Sequence, residues 1–234
     1  MKDALKATLI GTRIGRYARG IKRARVDKGI IDEYFRQEAT RKLHLGCGAH
    51  RIGGWLNSDL APTTDGVVRL DATERFPFDD CTFDYVFSEH MIEHISYTDG
   101  QHMLNECFRI LKSGGKMRIC TPDLSFLVAL YGKNKNGGDI ETKYLEWATE
   151  MFVPYAPYVA DTFVINNFVR AWGHTFIYDE KVLRFSLEQA GFSQVDLCRL
   201  NESEDRVLQD LENEERMPVG FLRLESLTLE AKKS

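Results

Sequence analysis

The chain has 234 residues, 43% hydrophobic and 28% charged, with a formal net charge of −4. That is enough for one sizeable α/β core with room for an appendage, and no apolar run approaches the ~20 residues that cross a bilayer. The five cysteines (Cys47, Cys81, Cys107, Cys120, Cys198) form no C-x-x-C pair, which speaks against a disulfide framework or a cysteine zinc site and fits reduced thiols in the cytoplasm. The N-terminus also lacks the apolar core of a signal peptide.

The charge is unevenly spread. Residues 1–25 hold eight basic groups and one acid, a net +7, which leaves −11 for the remainder. Leu5, Leu9, Ile10, Ile14, Tyr17 and Ile21 recur at helical spacing. Residues 1–40 therefore read as a basic helical extension and residues 41–234 as the main domain. The basic face is either solvated on a docked helix or in peripheral contact, through residues 1–25, with the anionic inner face of a membrane. Gly11, Gly15 and Gly20 weaken a continuous helix there and favour the first reading. The acidic remainder argues against a nucleic-acid partner.

Residues 26–40 read as a polar helix leading into the core. Lys42 to Leu45 alternate as a short strand, and Gly46 and Gly48 follow at once. Trp55 to Asp59 is a second strand ending in a carboxylate. Val67 to Leu70 is a third, ending at Asp71 and Ala72. Phe76 to Asp80 is a loop, and Phe83 to Ser88 a fourth strand, apolar enough for the middle of a parallel sheet. Gly100 to Lys112 carries an apolar stripe of Met103, Leu104, Cys107, Phe108 and Leu111, with Gly114 and Gly115 as its stop. Lys116 to Thr121 is the fifth strand. Residues 122–178 exceed what one crossover needs and concentrate ten aromatics between Tyr144 and Tyr178. They read as an insertion over the carboxyl ends of the strands, most of the rings forming its own small core. Asp179 caps a helix that runs to Ala190 and closes at Gly191. Ser193 to Leu200 is the sixth strand, and Ser226 to Lys232 alternates as an antiparallel last one. The pattern is a Rossmann-like seven-stranded, mostly parallel sheet with a helical, aromatic insertion after strand five.

A strand, a Gly-x-Gly turn and an acid at the tip of the next strand suit a nucleoside, with the turn against one end of the ligand and the acid on ribose hydroxyls. Ala49 and His50 stand where a third glycine would. Asp59 follows Gly48 by 11 residues rather than the ~20 of a dinucleotide fingerprint, so NAD is disfavoured.

Leu43-His-Leu-Gly-Cys-Gly48, Asp71-Ala-Thr-Glu-Arg-Phe-Pro-Phe78, Thr82-Phe-Asp-Tyr-Val-Phe87, Glu93-His94 and Glu106-Cys-Phe-Arg-Ile-Leu-Lys-Ser-Gly-Gly115 follow one another in order. This succession resembles class I S-adenosylmethionine-dependent methyltransferases, and within them the branch associated with polysaccharide and sugar modification, to which Thr121-Pro-Asp-Leu124 and Gly173-His-Thr-Phe-Ile-Tyr-Asp179 are also similar. The resemblance covers roughly residues 42–232. It implies S-adenosylmethionine as cofactor, with Gly46, Cys47 and Gly48 along its methionine part and Asp59 on the ribose. It also implies Asp71 and Ala72 at the adenine edge, Phe76 to Phe78 flanking the ring, and Glu89 near the sulfonium.

Methyl transfer to a hydroxyl needs a base within hydrogen-bond reach of the acceptor. His174, at the end of the insertion, ranks first, with His90 after strand four and Asp123 after strand five as further candidates. No metal is expected. The alternative ion set is His90, Glu93 and His94, which share a face if residues 90–95 are helical, together with His174. The function so implied is O-methylation of a sugar or glycan precursor. The alternatives are a cofactor-binding scaffold without turnover and a nucleic-acid methyltransferase.

Overall fold

The computed structural model describes residues 23–131 and 140–234. Most of the basic N-terminal stretch, with the membrane contact expected of it, lies outside the described residues. Residues 23–37 form helix α1. Its Ile30, Ile31, Tyr34 and Phe35 pack on the main core, and the Tyr34 hydroxyl accepts from the Lys42 amide (2.7 Å), which fixes the entry to the first strand.

Seven strands follow: β1 (Lys42–Leu45), β2 (Leu56–Asp59), β3 (Val68–Arg69), β4 (Phe83–Glu89), β5 (Leu111–Pro122), β6 (Ser193–Cys198) and β7 (Ser226–Lys232). They form one sheet in the order β3-β2-β1-β4-β5-β7-β6. β7 runs antiparallel to both its neighbours, and the other pairs are parallel. The strand order reverses between β1 and β4, the place where sheets of this kind bind ligands. Leu45 pairs with Ser58 on one side and Ser88 on the other, so Gly46, Asp59 and Glu89 emerge on one rim.

Helix α2 (Tyr97–Ile110) is capped by Ser96, whose side chain accepts from the Asp99 amide. Its fully buried Met103, Leu104, Cys107 and Ile110 join Leu183 and Leu187 of α6 (Glu180–Ala190) and Leu43, Leu45, Val86 and Ile119 of the sheet in the main core. Each such side chain is worth roughly 1.5–3 kcal/mol of burial. The helix stops at Ile110, before the glycines expected to end it, because Leu111 is already paired with Phe83 of β4. The chain then makes an excursion through Gly114 (φ 80°) and rejoins β4 at Lys116 opposite Tyr85.

The insertion contributes α3 (Leu124–Leu130), α4 (Ile140–Phe152) and α5 (Asp161–Arg170). Phe126, Leu127, Leu130, Tyr144, Leu145, Val164 and Phe168 form a second apolar cluster, closed by Phe221 of α7 (Phe221–Glu225). Residues 199–216, between β6 and α7, form a strap. Its Leu208 and Leu211 pack on Trp55 and Phe87. Among the described residues, no helix is long and apolar enough to cross a membrane.

Candidate active site

Gly46 and Gly48 have φ of 66° and 51°. A Cβ on Gly46 would lie 2.3 Å from Cγ of Met91, whereas one on Gly48 would meet nothing within 4 Å. Gly46 is therefore required by packing, and Gly48 leaves an open cradle. The Cys47 amide donates to the Ser58 carbonyl (2.9 Å) and the Gly48 amide to Asp59 Oδ2 (3.0 Å), so the turn is stitched to the end of β2. Asp59 Oδ1 accepts from the Ala61 amide (2.8 Å). Two amides leave the carboxylate about half of its lone-pair sites, which fits a ligand diol. The Cys47 thiol is buried and its pKa is pushed up to about 11, so it is an inert wall.

Asp71 Oδ1 accepts from the Thr73 amide (3.0 Å) and hydroxyl (2.7 Å), which holds its pKa below the usual value. One oxygen thus shapes its own turn and the other is left over. Phe76 and Phe78, expected to flank an adenine, are 2% and 7% exposed in the main core. Their rings are spent on packing, Phe78 edge-on against Phe83.

Glu89 is buried at the tip of β4, and burial raises its pKa. The strap holds it: the Asn213 amide donates to both its oxygens (3.1 and 3.2 Å), and Arg216 lies 3.7 Å away. His50, beyond the glycine turn, is 3.5 Å from Glu89 on the other side. A cavity of about 560 Å³ opens here, between Ala49, His50 and Arg51 of the turn and Glu212 to Glu215 of the strap.

A second cavity, about 260 Å³, lies under the insertion. Its floor is His90, Glu93, His94 and Pro122. Its walls include the rings of Tyr144, Trp147, Phe152, Phe168 and Trp172, with His174, Arg216 and Glu225 completing it. Residues 90–95 are not the α-helix that a shared face of His90, Glu93 and His94 needs. His90 has φ 44°, and only Ile92–His94 form a single 3-10 turn. His90 Nε2 pairs with the Ser226 hydroxyl (2.8 Å). The His174 Nδ1 lies 2.6 Å from the Phe168 carbonyl. A carbonyl only accepts, so Nδ1 carries the proton and Nε2 of the neutral ring keeps its lone pair. Burial lowers the pKa of His90, His94 and His174 alike. Asp123 is not part of this cavity. Its Oδ1 accepts from the Ser125 amide (2.8 Å) and caps α3.

A larger space of about 900 Å³ adjoins α1, Arg41 and Thr82. Arg41 and Thr82 lead into β1 and β4, so that space lies toward the amino ends of the strands, away from the rim described above.

Residues 56–119 match the methyltransferase domain family. A relative in Encephalitozoon cuniculi, itself a methyltransferase by inference, is 37% identical over 103 residues. That alignment covers 38% of this chain and 48% of the other, so the chain spans about half the length of this relative. Among solved structures, an S-adenosylmethionine-dependent methyltransferase of Archaeoglobus fulgidus has 18% identity and a TM-score of 0.48, covering 92% of this chain and 94% of its own. One from Mesorhizobium loti has 15% identity and a TM-score of 0.47, covering 84% and 92%.

The strap that holds Glu89 has little local signature in the sequence. Arg118 of β5 is wholly buried and anchors it, donating to Glu212 (2.6 and 3.1 Å), to Glu230 (2.5 Å) and to the carbonyls of Arg199 and Glu202. A basic residue amid the apolar run Met117 to Cys120 was the available signal, since a charge there must find a partner. Glu225 and Tyr144 were likewise unforeseen. The Tyr144 hydroxyl donates to Glu225 (2.5 Å), whose pKa burial raises to about 6.

Proposed function

We propose that the protein is an S-adenosylmethionine-dependent methyltransferase acting on a hydroxyl of a sugar or glycan precursor. The observation that carries this reading is the pairing of two cavities. Glu89 stands between the space beside the Gly46–Gly48 turn and the aromatic-walled space, 3.5 Å from His50 of the first and 3.7 Å from Arg216 of the second. Asp59, with lone pairs to spare, holds the ribose of the cofactor, and the open backbone at Gly48 accommodates close approach. The cofactor supplies the electrophilic methyl group and its leaving group. The protein's part is to hold an acceptor oxygen ~3–3.5 Å from that carbon, in line with the breaking bond, and to exclude water.

The cavity fits such an acceptor. Its rings offer flat apolar faces to a sugar, while its buried polar groups can bind hydroxyls and receive a proton. The His174 Nε2 lone pair is the leading proton acceptor. Calorimetry with S-adenosylmethionine tests the cofactor assignment, with Asp59→Ala expected to bind at least ~10-fold more weakly, the value of one to two hydrogen bonds at 1.4 kcal/mol per decade. Unchanged affinity removes Asp59 from the site. A methyl-transfer assay over free sugars, lipid-linked sugars and RNA tests the acceptor. Turnover on RNA alone would overturn the glycan reading.

A further inference from the structure

The floor of the aromatic cavity carries an unusual buried group. Glu93 is wholly inaccessible, and its Oε2 accepts from the Thr121 hydroxyl (3.2 Å). Its Oε1 has no hydrogen-bond partner at all. His90 Nδ1 and His94 Nε2 approach it at 3.5 and 3.8 Å, too long for either to satisfy it. A bare, buried carboxylate oxygen is costly, and a native structure that keeps one needs a reason for it.

One ligand atom each from Glu93, His94 and His174 lie within 4.8 Å of one another. These residues come from different parts of the chain. Glu93 and His94 stand on the 3-10 turn after β4, and His174 arrives from the end of the insertion, with its ring packed against that of His94 (5.1 Å between centroids). The Phe168 carbonyl fixes His174 so that Nε2 is its free nitrogen, an outer hydrogen bond of the type that orients metal-bound imidazoles. Arg216, also on the cavity wall, is drawn toward Glu89.

We infer that Glu93, His94 and His174 form a binding site for a divalent first-row transition ion, with open coordination positions facing the cavity. Two imidazoles and a carboxylate suit zinc, iron or manganese rather than magnesium or calcium, which prefer all-oxygen shells. His90, whose Nε2 is paired with Ser226, is left out of the set. The inference rests on and deepens the methyltransferase reading: an ion here would bind the acceptor oxygen and lower the pKa of its hydroxyl, so that the proton would leave to solvent water, and His174 would then act as ligand rather than base. Ion binding is nevertheless measurable without any acceptor or methyl donor.

The test is calorimetry with Zn²⁺ and visible absorption with Co²⁺ on the full-length, metal-stripped protein, with folding of every variant checked by circular dichroism. One equivalent is expected, with Co²⁺ giving the ligand-field bands of a nitrogen and oxygen site and no thiolate charge-transfer band. Glu93→Gln and His174→Gln should each weaken binding by ~100-fold or more, since losing even an outer-shell partner costs ~10–100-fold. Cys81→Ser combined with Cys198→Ser should leave it unchanged. The inference falls if neither ion binds, or if binding survives both the Glu93 and His174 variants or vanishes with the cysteines. In any of those cases, S-adenosylmethionine affinity would still judge the methyltransferase reading separately.

Discussion

Replacing Arg118 by methionine is the sharpest test of how the site is built. The guanidinium is fully buried, and so is the Glu212 side chain that takes two of its hydrogen bonds. Methionine fills much of the same volume but leaves that carboxylate without its cation and removes a donor from the Glu202 carbonyl, while the Arg199 carbonyl keeps only the Glu202 amide (3.1 Å). Removing one partner of a buried pair costs about 3–5 kcal/mol, because the remaining charge stays desolvated. For a chain of this size, ~2–4 °C per kcal/mol translates into a fall in Tm of roughly 6–20 °C. Urea unfolding of the wild type and of Arg118→Met measures it. Adding Glu212→Gln to that variant should recover part of the loss, with a coupling of about 0.5–3 kcal/mol. A loss below ~1 kcal/mol for the single variant, or no recovery in the double, would refute the idea that a desolvated ion pair holds the strap.

Three further outcomes follow from the same geometry. Glu225 keeps its proton up to about pH 6, against an ordinary value of 4.5. The native state therefore loses roughly 2 kcal/mol as pH rises through that window. Glu225→Gln should gain stability relative to wild type at pH 7.5 but not at pH 4, and an equal difference at both values would show that the carboxyl does not titrate as described. Gly46→Ala should destabilise by at least ~1–3 kcal/mol in thermal unfolding, since both the positive φ and the contact with Met91 oppose a Cβ; a neutral result would mean the turn readily reshapes. Asp123→Ala should cost about 1 kcal/mol as a lost helix cap while kcat stays within a few-fold; a drop in kcat of ~100-fold or more would return Asp123 to the list of bases.

The sheet was readable from the chain because its strands are short apolar runs bounded by glycine and acid, and the pairing of each to a rim position follows from period-two alternation. The place of Asp59 at the end of β2 is readable for the same reason. Asp71 and Asp123 were harder, because an aspartate that caps a turn and one that binds a ligand look alike until the acceptor geometry is known. Adjacency to Asp71 points Phe76 and Phe78 toward a ligand, whereas the loop turns both rings inward. The glycines at 114 and 115 do not mark the end of α2, because pairing of Leu111 with Phe83 stops the helix first. The alternative ion set already joins His174 to Glu93 across 81 positions, but their approach depends on how the insertion folds back, and the turn at His90 takes that residue out of the set.

The insertion and the sheet each enclose a separate apolar cluster, and the rings of Tyr144, Trp147, Phe152 and Phe168 that wall the aromatic cavity belong to or pack against the insertion's cluster. Changes of ring size at Trp147, Phe152 or Trp172 can thus recontour the pocket without disturbing the register of β1, β2 and β4 that sets the glycine turn and Asp59. On the function proposed above, the insertion is then the part to exchange when a different acceptor is wanted.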